Sequence, residues 1–225
     1  MIGAKALLAL GLALTPSGGW HGPVPHGRAA HFMAGAAVEE FSPPTSGHAP
    51  GGDPANCAGA AAFTGPRAFA YEDPYTDATH AGHYVQGDPF DDCGGAGRWQ
   101  GNLLGGGGNN PRFYTRVADP VGARALVVGN RRTAIAVEVV DQEGLFNVYA
   151  DRIRALVAKA GVHLNGIYIS ATHDESAPDS LGLGGVSQTT SGVDNFWVAY
   201  MVRQSALAIE RAYRSMRPAQ IRYTE

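Results

Sequence analysis

Residues 166–185 read "GIYISATHDESAPDSLGLGG". A short apolar, β-branched run passes directly into Thr172, His173, Asp174 and Glu175, then into a loop rich in Gly, Ser and Pro. Loops that leave the carboxyl ends of strands converge at one edge of an open α/β sheet, which is where such sheets bind ligands. Side chains alternate along an extended chain, so His173 and Glu175 are expected on one face, with Asp174 turned away. A neutral imidazole beside a carboxylate is a zinc-type donor pair. The same residues also suit a polar loop whose Asp, Glu and Ser side chains close a turn. Spacing alone leaves both readings open.

The elements that must position this cluster are legible around it. "FMAGAAVEEFSPP" (32–44) reads as a first strand stopped by two prolines. "ARALVVG" (123–129) and "RTAIAVEVV" (132–140) are β-branched runs joined by a hairpin signal. "GLFNVYADRIRALVAKAG" (144–161) carries apolar residues at helical spacing, and Gly161 stands where a C-cap is wanted. "GIYIS" (166–170) is the next strand. Residues 193–216 repeat apolar side chains at helical spacing, with Asp194 placed to cap them and Phe196, Trp197, Tyr200 and Met201 in the core stripe. Pro218 stops that helix, and "QIRYT" is expected to begin a further strand. Hairpin, helix, strand, helix, strand predicts an α/β fold, a mixed β-sheet with flanking helices, behind a long loop-rich N-terminal half.

Composition narrows the function classes. The chain has 225 residues, 44% of them hydrophobic, and a formal net charge of −3. That balance disfavours nucleic acid and anionic membrane surfaces, which both want a basic excess. Its 31 glycines and 14 prolines crowd into residues 15–122. Residues 1–20 have the form of an export signal, with Lys5 ahead of an apolar run too short to span a bilayer. Residues 21–31 read as a linker, and 32–225 as one domain with a loop-rich insertion over about 45–117. The two cysteines, Cys57 and Cys93, suit an exported protein. A bridge between them would close a loop of ~36 residues and contribute roughly 3–4 kcal/mol; two unpaired thiols in a cytosolic chain are the alternative.

The insertion holds a repeat of period fifteen, "DPYTDATHAGHYVQG" from Asp73 and "DPFDDCGGAGRWQGN" from Asp88. Asp77, Gly82 and Asp88 fall at positions 1, 6 and 12 of a calcium loop, but Thr79 and Ala81 occupy positions 3 and 5, and Gly94 and Ala96 replace them in the second copy. Too few oxygens remain for a hard cation, so a structural loop pair is expected and calcium is not. His80 and His83 could grip a transition metal, although at this spacing in a loop histidines are more often solvated.

"MAGAAVEEFSPP", "VADPVGARALVV", "IAVEVVDQEGLF" and "ISATHDESAPDSLG", taken in order, resemble successive motifs in the N-terminal part of the neutral/alkaline non-lysosomal ceramidase family, and are most similar to a bacterial branch. The resemblance runs over roughly residues 32–225. It implies a zinc-dependent hydrolase that cleaves N-acylsphingosine or a related lipid amide. His173 falls on the first His of the family's Thr-His-x-His motif. Glu175 falls on the second, and Ala118 on an upstream His that binds metal in the family. Arg124 and Asp141 match the family's Arg and strand-end Asp, with supporting roles implied for both beside Asp174: Asp141 orienting a ligand imidazole, Arg124 a carboxylate. A Glu and a Tyr that complete the family's zinc site lie beyond position 225, so the resemblance implies completion by a C-terminal half. The competing reading is a non-catalytic exported binding or cell-surface module in which Ala118 and Glu175 mark a lost metal. A carbohydrate- or calcium-binding protein built on the 73–102 repeat is a third, weaker reading.

Overall fold

Alternating burial marks the four longer strands of the computed structural model, and one layer of helix explains which side is buried. The structure describes residues 32–43, 73–81, 84–93, 95–101, 103–106, 111–113, 117–130 and 132–222, within the unit His31–Glu225. The expected export signal and linker, Cys57 and His83 lie outside the described residues. The elements are β1 (Met33–Glu40), β2 (Gly122–Gly129), β3 (Ala134–Val140), α1 (Asn147–Lys159), β4 (Gly166–Ala171), α2 (Asn195–Arg214) and β5 (Arg217–Pro218). They form a sheet ordered β4-β3-β2-β1-β5, in which β3 and β4 run parallel and the other pairs antiparallel. The α/β class and the mixed sheet with flanking helices are as expected, and the described residues between β1 and β2 hold only turns and isolated bridges.

Each helix end has a local cause. Gly161, at φ +75, donates its N–H to Ala158 O, and Val162 donates to Val157 O. These two bonds make the Schellman stop that the glycine predicted. At the start of α2 the Asp194 carboxylate accepts the Trp197 N–H at 3.2 Å, an N-cap that occupies an otherwise orphaned donor. α2 lies across β1 and β2, burying Trp197, Met201, Ala208, Ile209 and Ala212. It comes so close to β1 that a methyl group at Gly35 would collide with the Ala212 carbonyl oxygen. Phe41, just past β1, meets Trp197 edge-on at 6.0 Å between ring centroids, and its carbonyl accepts the indole N–H at 2.9 Å.

One sequence expectation needs correction. The strand expected in "QIRYT" is absent over Gln220–Arg222, the rest of it lying outside the described residues, and a two-residue strand, β5, forms earlier at Arg217–Pro218, paired with Met33 and Ala34. Pairing starts as soon as α2 has ended, and Ala219 N–H reaches Phe32 O, which uses up the available edge of β1 before Gln220. The helix ends at these two caps are where the sequence put them: α2 begins directly after Asp194, and α1 stops two residues before Gly161.

The period-fifteen repeat is a pair of loops that clasp each other. Thr76 N–H goes to Pro89 O and Asp91 N–H to Pro74 O, each bond the copy of the other. The Asp73 carboxylate accepts the Gln100 N–H, and the Asp88 carboxylate accepts the Val85 N–H in the matching place. Tyr84 and Trp99, also fifteen apart, stack at 4.4 Å and fill a small core of their own. Asp77 and Asp92 accept the N–H of Ala81 and Ala96, so backbone amides occupy oxygens that a calcium loop would turn to the ion. Amides of Gly97 and then Ala96 hold the Asp92 carboxyl below the usual carboxylate range. Cys93 is disulfide-bonded, and its N–H donates to Asp73.

Glu138 lies fully buried on the helix-covered face of β3, and neither of its carboxylate oxygens has a hydrogen-bond partner. Desolvation pushes its pKa well above 4.5. Because the folded state binds this proton more tightly than the unfolded chain, its stabilisation is full below the unfolded pKa and is lost as pH rises through the folded one. Glu138→Leu should therefore gain stability over the wild type progressively above about pH 4.5, by up to about 1.4 kcal/mol per pH unit. Urea denaturation of both proteins from pH 4 to 9 checks this; parallel profiles would refute it.

Candidate functional site

The parallel pair β3 and β4 ends at one edge, and two acidic segments leave it together: Asp141-Gln142-Glu143 from β3 and His173-Asp174-Glu175 from β4. Thr172 N–H donates to Val140 O and Asp174 N–H to Gln142 O, which locks the two segments side by side. Residues 103–106 pair along the next stretch: Gly105 N–H goes to Ala177 O, Gly106 N–H to Glu175 O, and Asp179 N–H to Leu103 O.

His173 and Glu175 do meet, with Nε2 to Oε1 at 3.5 Å. Alternation along a strand is not the reason. β4 ends at Ala171, and His173 takes the left-handed conformation, φ +65, which is uncommon for a residue with a side chain and marks a place where surroundings overrule local preference. Both side chains are largely exposed. Asp174 turns the other way, accepting the Ser176 N–H at 2.8 Å.

The two directions open onto two hollows. Glu175 lines a cleft of about 470 Å³ with Glu143, Gly106, Leu183 and the hydroxyl residues Ser187 and Thr190. Asp174 lines the other, of about 730 Å³, with Arg112, Ala118 and Asp119. Gly105 and Gly106 let the first cleft form: a methyl at Gly105 would stand 2.5 Å from Glu143 Oε2, and one at Gly106 would overlap the Glu175 side chain. Glu143 Oε2 is shielded from solvent and has no partner.

Asp179 builds the far wall. Almost completely buried, it accepts the N–H groups of Leu181, Gly182 and Gly184 at 2.7–2.9 Å, folding the glycine-rich loop around one carboxylate. Beyond it, Ser187 and Thr190 pair across a small turn, with their hydroxyls 2.7 Å apart.

Asp141 and Arg124 find each other, Oδ2 to Nη1 at 2.5 Å, and Asp141 also accepts the Gly122 N–H. Neither of these bonds reaches His173, so the imidazole-orienting part implied for Asp141 has no contact behind it, and the carboxylate held by Arg124 is Asp141's own. Glu143 and Asp179 escaped sequence reasoning. The signal for Asp179 was present as Asp followed by Ser-Leu-Gly-Leu-Gly-Gly, a loop that needs an acceptor for its amides.

Zinc needs three protein ligands even in an open catalytic site. Among the described residues no group of three His, Cys, Asp or Glu side chains is placed to hold a metal. His173 and Glu175 have the right chemistry and the wrong number, so the described residues do not make a zinc centre by themselves. Among the described residues no helix is long and apolar enough to cross a membrane.

No family model and no curated protein matches the chain. Two solved structures are similar to it in part: a neutral ceramidase from Pseudomonas aeruginosa and a ceramidase complexed with C2. Each is 14% identical, with a TM-score of 0.45 over 84% of this chain. The chain spans 22% of the length of either.

Proposed function

We propose that this chain is one part of a ceramidase-like hydrolase of lipid amides, with the cleft beside Glu175 taking the polar end of the substrate. The observation that carries the reading is the contact of His173 with Glu175, which lines that cleft at the carboxyl end of the parallel strand pair. Shielded Glu143 Oε2 and the hydroxyls of Ser187 and Thr190 can bond to amide and hydroxyl groups, while exposed Leu183 offers apolar contact at the rim. Such a lining suits a molecule with a polar head and a chain.

His173 and Glu175 are the donors this chain would bring to zinc, which supplies Lewis acidity to an amide carbonyl when bound. Further donors must come from residues outside the described ones. Calorimetric titration with zinc tests the reading. Wild type should bind weakly, His173→Ala should abolish binding, and Glu175→His, which restores the family's second imidazole, should tighten it about tenfold or more. Zinc affinity indifferent to His173→Ala would overturn the proposal. Ala118, whose methyl faces the larger hollow where the family has a His, favours the second reading, an exported binding module without catalysis. That reading expects Glu175→His to change nothing.

A further inference from the structure

Three large apolar side chains are exposed at the edge where the cleft lies. β3 and β4 run parallel, so α1, which joins them, runs back across the sheet and begins where β3 ends. That puts the first turn of α1 beside the loop that walls the cleft. Ser180 Oγ donates to Gly144 O at 2.8 Å, and a methyl at Gly144 would stand 2.9 Å from the Leu181 side chain. Around this joint Phe146 is 49% exposed, Val148 49% and Leu183 56%. Leu183 lines the cleft itself, and so does Glu143, just ahead of Phe146.

Neither the helix nor the loop accounts for these three. Phe146 occupies the N-cap of α1, where it makes no side-chain bond to the helix amides and where Ser, Thr, Asp or Asn would stabilise. Val148 is β-branched, a weaker helix former than most choices for an exposed position. Leu183 stands between Gly182 and Gly184, whose amides, rather than its side chain, fix the loop on Asp179. The surface around them also lacks charge. Residues 144–150 and 180–192 contain no Asp, Glu, Lys, Arg or His, except that the fold tucks Asp179 away just before the second stretch. The exposed polar side chains there are Asn147, Gln188 and Thr189. Charge begins further along α1 with Asp151 and Arg152, whose guanidinium lies 5.9 Å over the Tyr149 ring.

We infer that this edge docks on a zwitterionic lipid surface, with Phe146, Val148 and Leu183 entering it beside the cleft. The inference rests on the reading of the cleft as a site for the polar end of a lipid amide, a molecule that lies in such a surface. Composition selects the occupant. Apolar tips in an uncharged field suit the boundary between head groups and acyl chains, which interfacial segments enter by about 5–10 Å. Arg152, one turn beyond Val148, sits about 5 Å further along the helix axis, at the depth of the lipid phosphates. An anionic surface wants a basic cluster, and Arg152 next to Asp151 is not one. A stable protein interface takes about 20–30 residues a side, against six exposed residues in these two segments. Each tip is already half covered, so the gain on insertion is small. Half of the protein should be bound at about 1–10 mM lipid, against about 0.1 mM for a single myristoyl chain.

Flotation of the full chain with phosphatidylcholine vesicles, with no amide lipid and no added zinc, tests this. The double variant Phe146→Ser, Leu183→Ser should bind about tenfold more weakly or worse. Tyr168→Ser, on the helix-free face of the sheet, should bind as wild type. Serine at 146 supplies the missing cap, so that change should not unfold the chain. Replacing about a third of the lipid by phosphatidylserine should not strengthen binding. Phe146→Trp reads position directly: its emission should shift to the blue when vesicles are added, and that of Tyr168→Trp should not. The inference is overturned by no flotation at about 30 mM lipid, by flotation that the double variant leaves unchanged, or by flotation only with phosphatidylserine. Self-association in sedimentation velocity that the double variant abolishes overturns it too, since a second copy would then be the occupant. Should the double variant fail to fold, as judged by circular dichroism, the tryptophan emission decides. Absent flotation alongside zinc binding that depends on His173 sinks the docking and spares the substrate reading. Intact flotation alongside zinc binding indifferent to His173→Ala does the reverse.

Discussion

Trp197→Ala is expected to lower the free energy of unfolding by about 3–5 kcal/mol, a large part of the 5–15 kcal/mol that holds a typical domain. Trp197 is completely buried in the first turn of α2, and three separate things depend on it. Its ring fills the space between the helix and Phe41. Its indole N–H satisfies the Phe41 carbonyl, which the end of β1 leaves without a strand partner. Its own backbone N–H takes the cap from Asp194. Truncation removes the first two and leaves a cavity at the point where helix, strand and loop insertion meet. Trp197→Phe separates the effects: it keeps most of the packing and orphans the Phe41 carbonyl, at a cost of about 1–3 kcal/mol. Urea midpoints for the three proteins provide the check. A loss below 1 kcal/mol for the alanine variant would show that α2 is held on the sheet by something else.

Asp179→Ala is expected to have the second largest effect, about 2–4 kcal/mol, with its main consequence at the cleft. One buried carboxylate accepts three backbone N–H groups within five residues. Charge-assisted bonds of this kind contribute about 1.5–3 kcal/mol each, but water can reach some of the freed amides, so the losses do not add in full. The loop carrying Leu183, Ser187 and Thr190 would lose its anchor. Amide exchange of Leu181, Gly182 and Gly184 should rise by at least about tenfold, while exchange within β2 and β3 tracks only the global loss. Asp179→Asn should retain part of the protection, since an amide oxygen still accepts. Unchanged exchange at these three amides would mean that the loop holds itself.

The strands and helices could be read from sequence because their causes are local. Alternation in "IAVEVV", the apolar spacing through Ile153 and Val157, the glycine at 161 and the aspartate at 194 each act within a turn or two. What could not be read depends on distant partners. β5 exists because Phe32 and Met33 present an open edge to the chain leaving α2, and nothing in "RP" announces a strand. The period of fifteen was visible, whereas the reciprocal clasp of its two copies was not, since periodicity carries no information on pairing. At the site, the meeting of His173 with Glu175 was expected for the wrong reason. Alternation would have sufficed in a strand, but the chain turns through φ +65 at His173 and reaches the same proximity by a different route. Glu143 matters only because Gly105, some forty residues earlier, leaves room beside it.

The self-clasping repeat also bears on the order in which the molecule can assemble. Its longest bond, between Asp73 and Gln100, joins residues 27 apart, a short closure with a small entropic penalty. β1, by contrast, relies on partners such as Trp197 and Arg211, which lie 156 and 172 positions from Phe41 and Glu39. During synthesis the clasp can close as soon as residue 101 is free, while the first strand can pair with β2 only once residue 129 is out and gains its helix cover only after α2. Among the described residues the clasp, without a helix or a long strand, is thus the earliest part able to become native, and the helix-covered face of the sheet is completed last.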